Sequence, residues 1–168
     1  YGRIKWEELS PDDVHPNITG HGILSLFVTE LLQKIYKKQV PMDESAYTLP
    51  AKSYYETLAT LPERGKIDVI GHFDLITKFD EPVPFFDENS ARYQRAVRAA
   101  MEKLVKAGKI FEVNTGAISR GYRTTPYPSA QWLKLLHEMD GKVTVSADAH
   151  HTSGVTCAFD LAERMIKE

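Results

Sequence analysis

The chain has 168 residues, of which 42% are hydrophobic, and it carries 21 Lys and Arg against 23 Asp and Glu. Enough apolar material is present to bury a core, which excludes a disordered chain, and the balanced charge disfavours a nucleic-acid protein of the basic-patch kind. No apolar run reaches the about 20 residues of a membrane helix. Cys157 is the only cysteine, so no disulfide forms within the chain. We expect a cytoplasmic globular protein.

The N-terminal part of the chain is predicted to be helical. Residues 1–20 have no clear period and are predicted to be loop. Apolar residues repeat at helical spacing between Ile23 and Tyr36, which predicts an amphipathic helix. Residues 40–50 are polar and contain prolines, so a loop is predicted there, followed by a short helix over 51–60.

Beyond this part, short β-branched segments alternate with amphipathic helices. Strands are predicted over 67–70, 110–113 and 143–145. Helices are predicted from the Asn89-Ser90 cap to Ala107, from Pro128 to Gly141, and from about Gly154 to Ile166. Strands separated by helices imply parallel pairing with right-handed crossovers. A doubly wound α/β sheet and a (β/α) barrel both fit this order, but three strands are too few to close a barrel.

Two of these helices have continuous apolar faces, which are predicted to form the core. The first face consists of Tyr93, Val97, Ala100, Met101 and Leu104, and the second of Trp132, Leu135, Leu136 and Met139. Gly108 follows the first helix, where a left-handed residue commonly ends a helix. We therefore expect these two helices to pack on the sheet.

Polar residues able to bind a cation follow each predicted strand. In chain order they are His72, Asp74, Glu112, Asn114, Asp148 and His150. Because the carboxyl ends of parallel strands lie at one edge of a sheet, we expect these residues to converge. Imidazole and carboxylate together suit Zn, Mn or Fe, so the sequence predicts a metal site at this edge.

The residues of this group are predicted to differ in role. Asp148 and His150 alternate along an extended segment, so both side chains can face one site. His72 is equally consistent with a hydrogen-bonded histidine at a strand end. For Glu112 and Asp74 we favour a supporting role behind the metal ligands. The alternative for Glu112 is that it caps a helix or holds a basic partner. The alternative for Asp74 is that it only begins the next loop.

A basic loop follows the second predicted strand and contains Arg120 and Arg123. Arginine binds phosphate in a bidentate manner, and this loop lies on the same face as the predicted metal ligands. We predict that Arg120 or Arg123 binds an anion, the alternative being two solvated arginines. The sequence has no glycine-rich phosphate loop and no dinucleotide fingerprint.

Four segments resemble the later motifs of PHP-domain histidinol-phosphate phosphatases. They are DVIGHFDLI (68–76), FEVNTG (111–116), YPS (127–129) and SADAH (146–150). The resemblance covers about residues 54–168 and is best from 66 to 154. It implies a portion of a distorted (β/α)7 barrel with a multinuclear metal cluster at the carboxyl ends of the strands.

The resemblance also implies a function and a set of site residues. It implies hydrolysis of histidinol phosphate in histidine biosynthesis, hence a small phosphorylated substrate and neither a nucleic acid nor a membrane as partner. The implied metal ligands, which are also the implied catalytic residues, are His72, Asp148 and His150. Glu112 and Asn114 correspond to a strand that supports the site, and Arg120 or Arg123 lies where a basic residue contacts phosphate.

The early motifs of that family, including an N-terminal His-x-His and a bridging glutamate, are absent. We therefore expect residues 1–168 to be the C-terminal portion of a longer enzyme and to have little activity alone. In this interpretation 1–50 is an unaligned helical part and 51–168 is half of the barrel. We also expect self-association through the truncated barrel edge, or coverage of that edge by 1–50. The alternatives are a phosphoesterase of the same superfamily acting on a nucleotide or other small phosphate, and a non-catalytic module.

Overall fold

A computed structural model of the chain describes residues 44–81 and 87–167, with side chains from residue 51 onward. The helix predicted over 23–36 and the loop predicted over 1–20 lie outside the described residues. The chain divides into two units, Tyr1–Ala46 and Tyr47–Glu168, and the features below belong to the second, except for the first turn of the helix that begins at Glu44. None of the described helices is both long and apolar enough to span a membrane.

The described elements alternate between strands and helices along the chain. The α-helices are α1 (Glu44–Leu58), α2 (Leu61–Arg64), α3 (Ala91–Lys106), α4 (Gly116–Ser119), α5 (Ala130–Glu138) and α6 (Phe159–Lys167). The strands are β1 (Val69–Ile70), β2 (Ile110–Asn114) and β3 (Lys142–Ser146). Two short 3₁₀ helices cover Leu75–Thr77 and Thr152–Gly154.

The three strands form one sheet in the order β1-β2-β3, and their pairing is parallel, as predicted. Ile70 lies opposite Phe111, and Phe111 lies opposite Val143. Since all three strands run in the same direction, their carboxyl ends lie at one edge of the sheet. The α/β class and the parallel pairing are therefore confirmed. The predicted self-association through the barrel edge and the cytoplasmic location stay predictions.

The core lies where the predicted helix faces meet the sheet. Every predicted core residue of α3 is buried, and so are three of the four on α5, with Met139 partly buried. The Ser90 hydroxyl caps α3 by accepting a hydrogen bond of 3.3 Å from the Tyr93 backbone amide. Gly108 has a φ of 73°, as expected of the residue that ends this helix.

The loop predicted over 40–50 is wrong for residues 44–50, because α1 begins at Glu44 and continues through Pro50. Proline inside a helix removes one backbone hydrogen bond and costs about 3 kcal/mol. The helix is nevertheless held by its buried face, where Ala51 and Tyr55 have no exposed surface. The Tyr55 hydroxyl also hydrogen-bonds the Tyr93 hydroxyl at 2.8 Å, which ties α1 to α3.

Two predicted helix starts are also wrong. Pro128 lies before Ser129, which occupies the cap position of α5, so this proline is outside the first turn. The last helix begins at Phe159 and not near Gly154, and the intervening residues form turns. Ala158 has a φ of 57°, a left-handed conformation that separates those turns from α6.

The core assignment predicts the effect of removing one side chain of α3. Leu104 is completely buried, so Leu104→Ala is expected to lower the free energy of unfolding by about 2 to 5 kcal/mol. Arg98 is exposed on the same helix and provides the control. Arg98→Ala is expected to change the free energy of unfolding by about 0.5 kcal/mol or less. Urea unfolding measures both, and equal effects would contradict the assignment.

Candidate functional site

The Glu112 carboxylate on β2 connects the ends of two strands. Its Oε2 atom accepts a hydrogen bond of 2.9 Å from the backbone amide of His72, which follows β1. The same atom accepts a bond of 3.0 Å from Asn114 Nδ2. Gly71 lies against this carboxylate, since a Cβ atom there would be 3.3 Å from Oε2. Glu112 thus fixes the backbone that carries His72.

His72 itself adopts an uncommon backbone conformation, with a φ of 29°. A non-glycine residue with positive φ requires support from its surroundings, and the bond to Glu112 provides it. The imidazole ring of His72 makes an edge-to-face contact with the ring of Tyr127, with 6.4 Å between ring centres. The side chain is partly exposed.

Asp148 and His150, which follow β3, are brought together by Arg120. Arg120 Nη2 donates a hydrogen bond of 2.9 Å to Asp148 Oδ2, and Nη1 donates one of 3.0 Å to the Asp148 carbonyl. Nη1 also lies 2.7 Å from His150 Nδ1. The same Nδ1 atom lies 2.8 Å from the Asp148 carbonyl oxygen, so both Arg120 and the Asp148 backbone contact the His150 ring. Asp148 has a φ of 44°, which places it outside the extended geometry of the strand.

Gly116 links this group to the end of β2. Its amide donates a 2.9 Å hydrogen bond to Asn114 Oδ1. A Cβ atom at position 116 would lie 2.9 Å from Arg120 Nη2 and from Asp148 Cβ, so glycine permits the close approach. An unbroken series of contacts therefore runs from His72 through Glu112 and Asn114 to the group around Asp148.

Arg123 occupies a different position from Arg120. Its guanidinium is buried, with Nη1 donating a 2.7 Å hydrogen bond to Thr77 Oγ1 and Nε 3.7 Å from Glu81 Oε1. It also lies 4.6 Å from the centre of the Tyr127 ring. Protein groups thus surround Arg123, whereas the Arg120 side chain is 25% exposed beside Asp148. Of the two arginines, Arg120 is therefore the one that an anion could reach from solvent.

Asp74 is completely buried and ties the loop after β1 to the start of α5. Its Oδ2 atom accepts a 3.0 Å hydrogen bond from the Ser129 backbone amide. Burial raises the pKa of Asp74 to about 6, although the Ser129 bond and the charge of Arg123 act in the opposite direction. Asp74 is therefore enclosed beneath the loop that carries His72, and it is not presented to solvent.

The described residues supply suitable donors for a metal ion, but they do not assemble a complete site. His72, Asp148 and His150 offer two imidazoles and a carboxylate, which suit a divalent transition metal. Within residues 44–81 and 87–167, no three side chains of His, Cys, Asp or Glu form a group able to hold a metal. Asp148 and His150 contact the Arg120 guanidinium instead.

One group of side chains beside this site, around Lys78, was not indicated by the sequence patterns. Lys78 Nζ lies 4.4 Å from the centre of the Tyr122 ring and 5.2 Å from that of Phe79. Burial lowers the pKa of Lys78, the charge of Arg120 lowers it further, and Asp148 raises it. The one sequence signal was the position of Tyr122, next to the arginines of the basic loop.

The fold defines an α/β protein that places histidine, carboxylate and arginine side chains at the carboxyl edge of its parallel sheet. No family model matches the chain. Over 111 residues it is 34% identical to the "Probable histidinol-phosphatase" of Schizosaccharomyces pombe, an alignment that covers 66% of this chain and 36% of that protein. This similarity supports the resemblance drawn from the sequence motifs.

A solved structure shares the fold. The chain aligns with the crystal structure of the "putative histidinol phosphatase hisK" from Listeria monocytogenes with a TM-score of 0.60 and 18% identity. The alignment covers 73% of this chain and 46% of the Listeria protein. The chain thus spans less than half the length of each of these relatives.

The burial of Asp74 predicts a pH-dependent effect of its substitution. Because the pKa is raised from 3.8 to about 6, the folded protein binds this proton more tightly than the unfolded chain. The contribution of Asp74 to stability therefore falls as the pH rises from about 4 to about 6, and stays low above that. Asp74→Asn keeps an oxygen for the Ser129 amide without the buried charge.

We expect Asp74→Asn to match the wild type in stability near pH 4 and to exceed it at pH 7 by up to about 3 kcal/mol. Urea unfolding of both proteins between pH 4 and pH 8 measures the difference. A difference that does not change with pH would show that the Asp74 carboxyl does not titrate in this window.

Proposed function

We propose that the protein to which residues 1–168 belong is a metal-dependent phosphomonoester hydrolase that acts on histidinol phosphate. The observation that carries the proposal is the contact of Arg120 with both Asp148 and His150 at the carboxyl end of β3. This group combines a phosphate-binding side chain with two metal-binding side chains. The 34% identity to the Schizosaccharomyces pombe protein supports the substrate.

In this proposal the described strands are part of a PHP-type barrel. Three parallel strands alternate with helices, and the Listeria structure shares this arrangement with a TM-score of 0.60. Residues 51–168 would form the C-terminal half of that barrel, and residues 1–50 a helical N-terminal part. The candidate site would then lie where such barrels place their active sites, at the carboxyl ends of the strands.

His72, Asp148 and His150 would hold metal, together with ligands from parts of the protein outside the described residues. A bound divalent metal lowers the pKa of water and neutralises charge on a phosphoryl group. Arg120 donates to phosphoryl oxygens and orients the substrate. Glu112 and Asn114 keep the backbone at the strand ends in place, and this mechanism requires no covalent nucleophile.

A non-catalytic module is the second candidate function. It is favoured by the lack of a three-ligand metal group in the described part of the chain. The reading frame upstream of Tyr1 separates the two candidates. An encoded His-x-His motif is expected if the protein is the enzyme, and its absence would favour the module.

The proposal predicts that Asp148 is essential in the full-length protein. Asp148→Ala is expected to lower the rate of phosphate release from histidinol phosphate by at least about 100-fold and to reduce the bound metal, because a ligand is removed. Phosphate release and elemental analysis measure the two effects. The control is Asp160→Ala, since Asp160 on α6 is 80% exposed and also pairs with an arginine.

Two results would count against the assignment. Unchanged turnover in Asp148→Ala would exclude the role of Asp148. Hydrolysis of nucleoside phosphates in preference to histidinol phosphate by the wild-type protein would instead indicate a phosphoesterase of the same superfamily with another substrate.

A further inference from the structure

Two exposed aromatic rings contact each other beside the candidate site. Phe79 is 48% exposed and Tyr122 is 40% exposed, and their rings meet edge to face with 5.5 Å between centres. Single exposed apolar side chains are common on protein surfaces, but a contacting aromatic pair next to charged residues is typical of a binding site. Both rings therefore keep solvent-exposed surface that a ligand can contact.

Lys78 connects this pair to the candidate site. Its ammonium group lies over both rings, and within the described residues no carboxylate forms an ion pair with it. The charges of Arg120 and Asp148 both act on Lys78. Lys78 and Arg120 together carry two positive charges against the one negative charge of Asp148, and this excess favours binding of an anion such as a phosphate ester.

The backbone holds these side chains in defined positions. The Tyr122 amide donates a 2.9 Å hydrogen bond to the carbonyl of Ala117 on α4, the same short helix that Arg120 follows. Lys78 caps the preceding 3₁₀ helix through a 3.0 Å bond from its amide to the Leu75 carbonyl. The rings thus belong to ordered turns, so a ligand meets a surface that is already formed.

We propose that Phe79 and Tyr122 form the wall that binds the planar ring of the phosphomonoester substrate, while Lys78 faces the phosphoryl group alongside Arg120. This inference rests on the proposed function and specifies how the substrate is selected. A planar heteroaromatic ring gains from contact with aromatic side chains, and a protonated ring gains a cation–π interaction as well. An aliphatic phosphomonoester gains neither contribution at this wall.

The experiment compares the double variant Phe79→Leu, Tyr122→Leu with the wild-type full-length protein. Calorimetry measures binding of L-histidinol and of L-leucinol, an amino alcohol without an aromatic ring. The wild type is expected to prefer histidinol by about tenfold, and the double variant to lose this preference while binding leucinol unchanged. Ile166→Ala, at an exposed position on α6, is the control and is expected to keep the preference.

The lysine is tested with the phosphorylated compounds. Lys78→Gln is expected to raise KM for histidinol phosphate and leucinol phosphate by the same factor, about tenfold, because it weakens phosphate binding and not ring binding. Lys78→Arg keeps the charge and is expected to restore most of the affinity. A loss confined to histidinol phosphate would overturn the assignment of Lys78.

The outcomes separate this inference from the proposed function. If the wild type hydrolyses neither phosphate but still prefers histidinol, and the double variant loses that preference, the proposed function fails and the aromatic wall stands. Equal binding of histidinol and leucinol by the wild type would overturn the wall, whatever the activity. A lower melting temperature of the double variant with an unchanged preference would also overturn it, since the rings would then pack against other parts of the protein.

Discussion

The hydrogen bonds of the Glu112 carboxylate hold the candidate site together. One of its oxygen atoms accepts a hydrogen bond from the backbone of the loop after β1 and another from the Asn114 side chain on β2. A parallel sheet alone brings strand ends to one edge, but it does not fix the loops that follow them. The Glu112 carboxylate supplies that restraint at His72, whose positive φ is unfavourable without support.

The same restraint extends to the third strand because small residues allow close contact. Asn114 Oδ1 accepts a hydrogen bond from the Gly116 backbone amide, and Gly116 lies against Asp148 and the Arg120 guanidinium. The Arg120 guanidinium, whose side chain is 25% exposed, contacts both the Asp148 carboxylate and the His150 imidazole, and these charge-assisted hydrogen bonds hold the three groups in one arrangement. The arrangement is consistent with a site in which charge is organised before a ligand binds.

Sequence patterns predicted the parts of the fold that periodic burial determines. The face of α3 from Tyr93 to Leu104 and the parallel pairing of the strands follow directly from spacing and alternation. Local rules failed where tertiary contacts outweighed them, as at Pro50, which lies inside α1. Spacing also gave no means to separate Arg120 from Arg123, because only the fold shows that Arg123 is enclosed. The group around Lys78 combines two distant loops, so no local pattern indicated it.

The most direct test of this account compares Glu112→Ala with Glu112→Gln in the full-length protein. Glutamine keeps an oxygen that accepts from His72 and Asn114, whereas alanine leaves both donors unpaired. The account predicts that kcat/KM for histidinol phosphate falls by at least about tenfold in Glu112→Ala and is largely retained in Glu112→Gln. Wild-type kcat/KM in Glu112→Ala would contradict the claim that this carboxylate holds the strand ends together as one site.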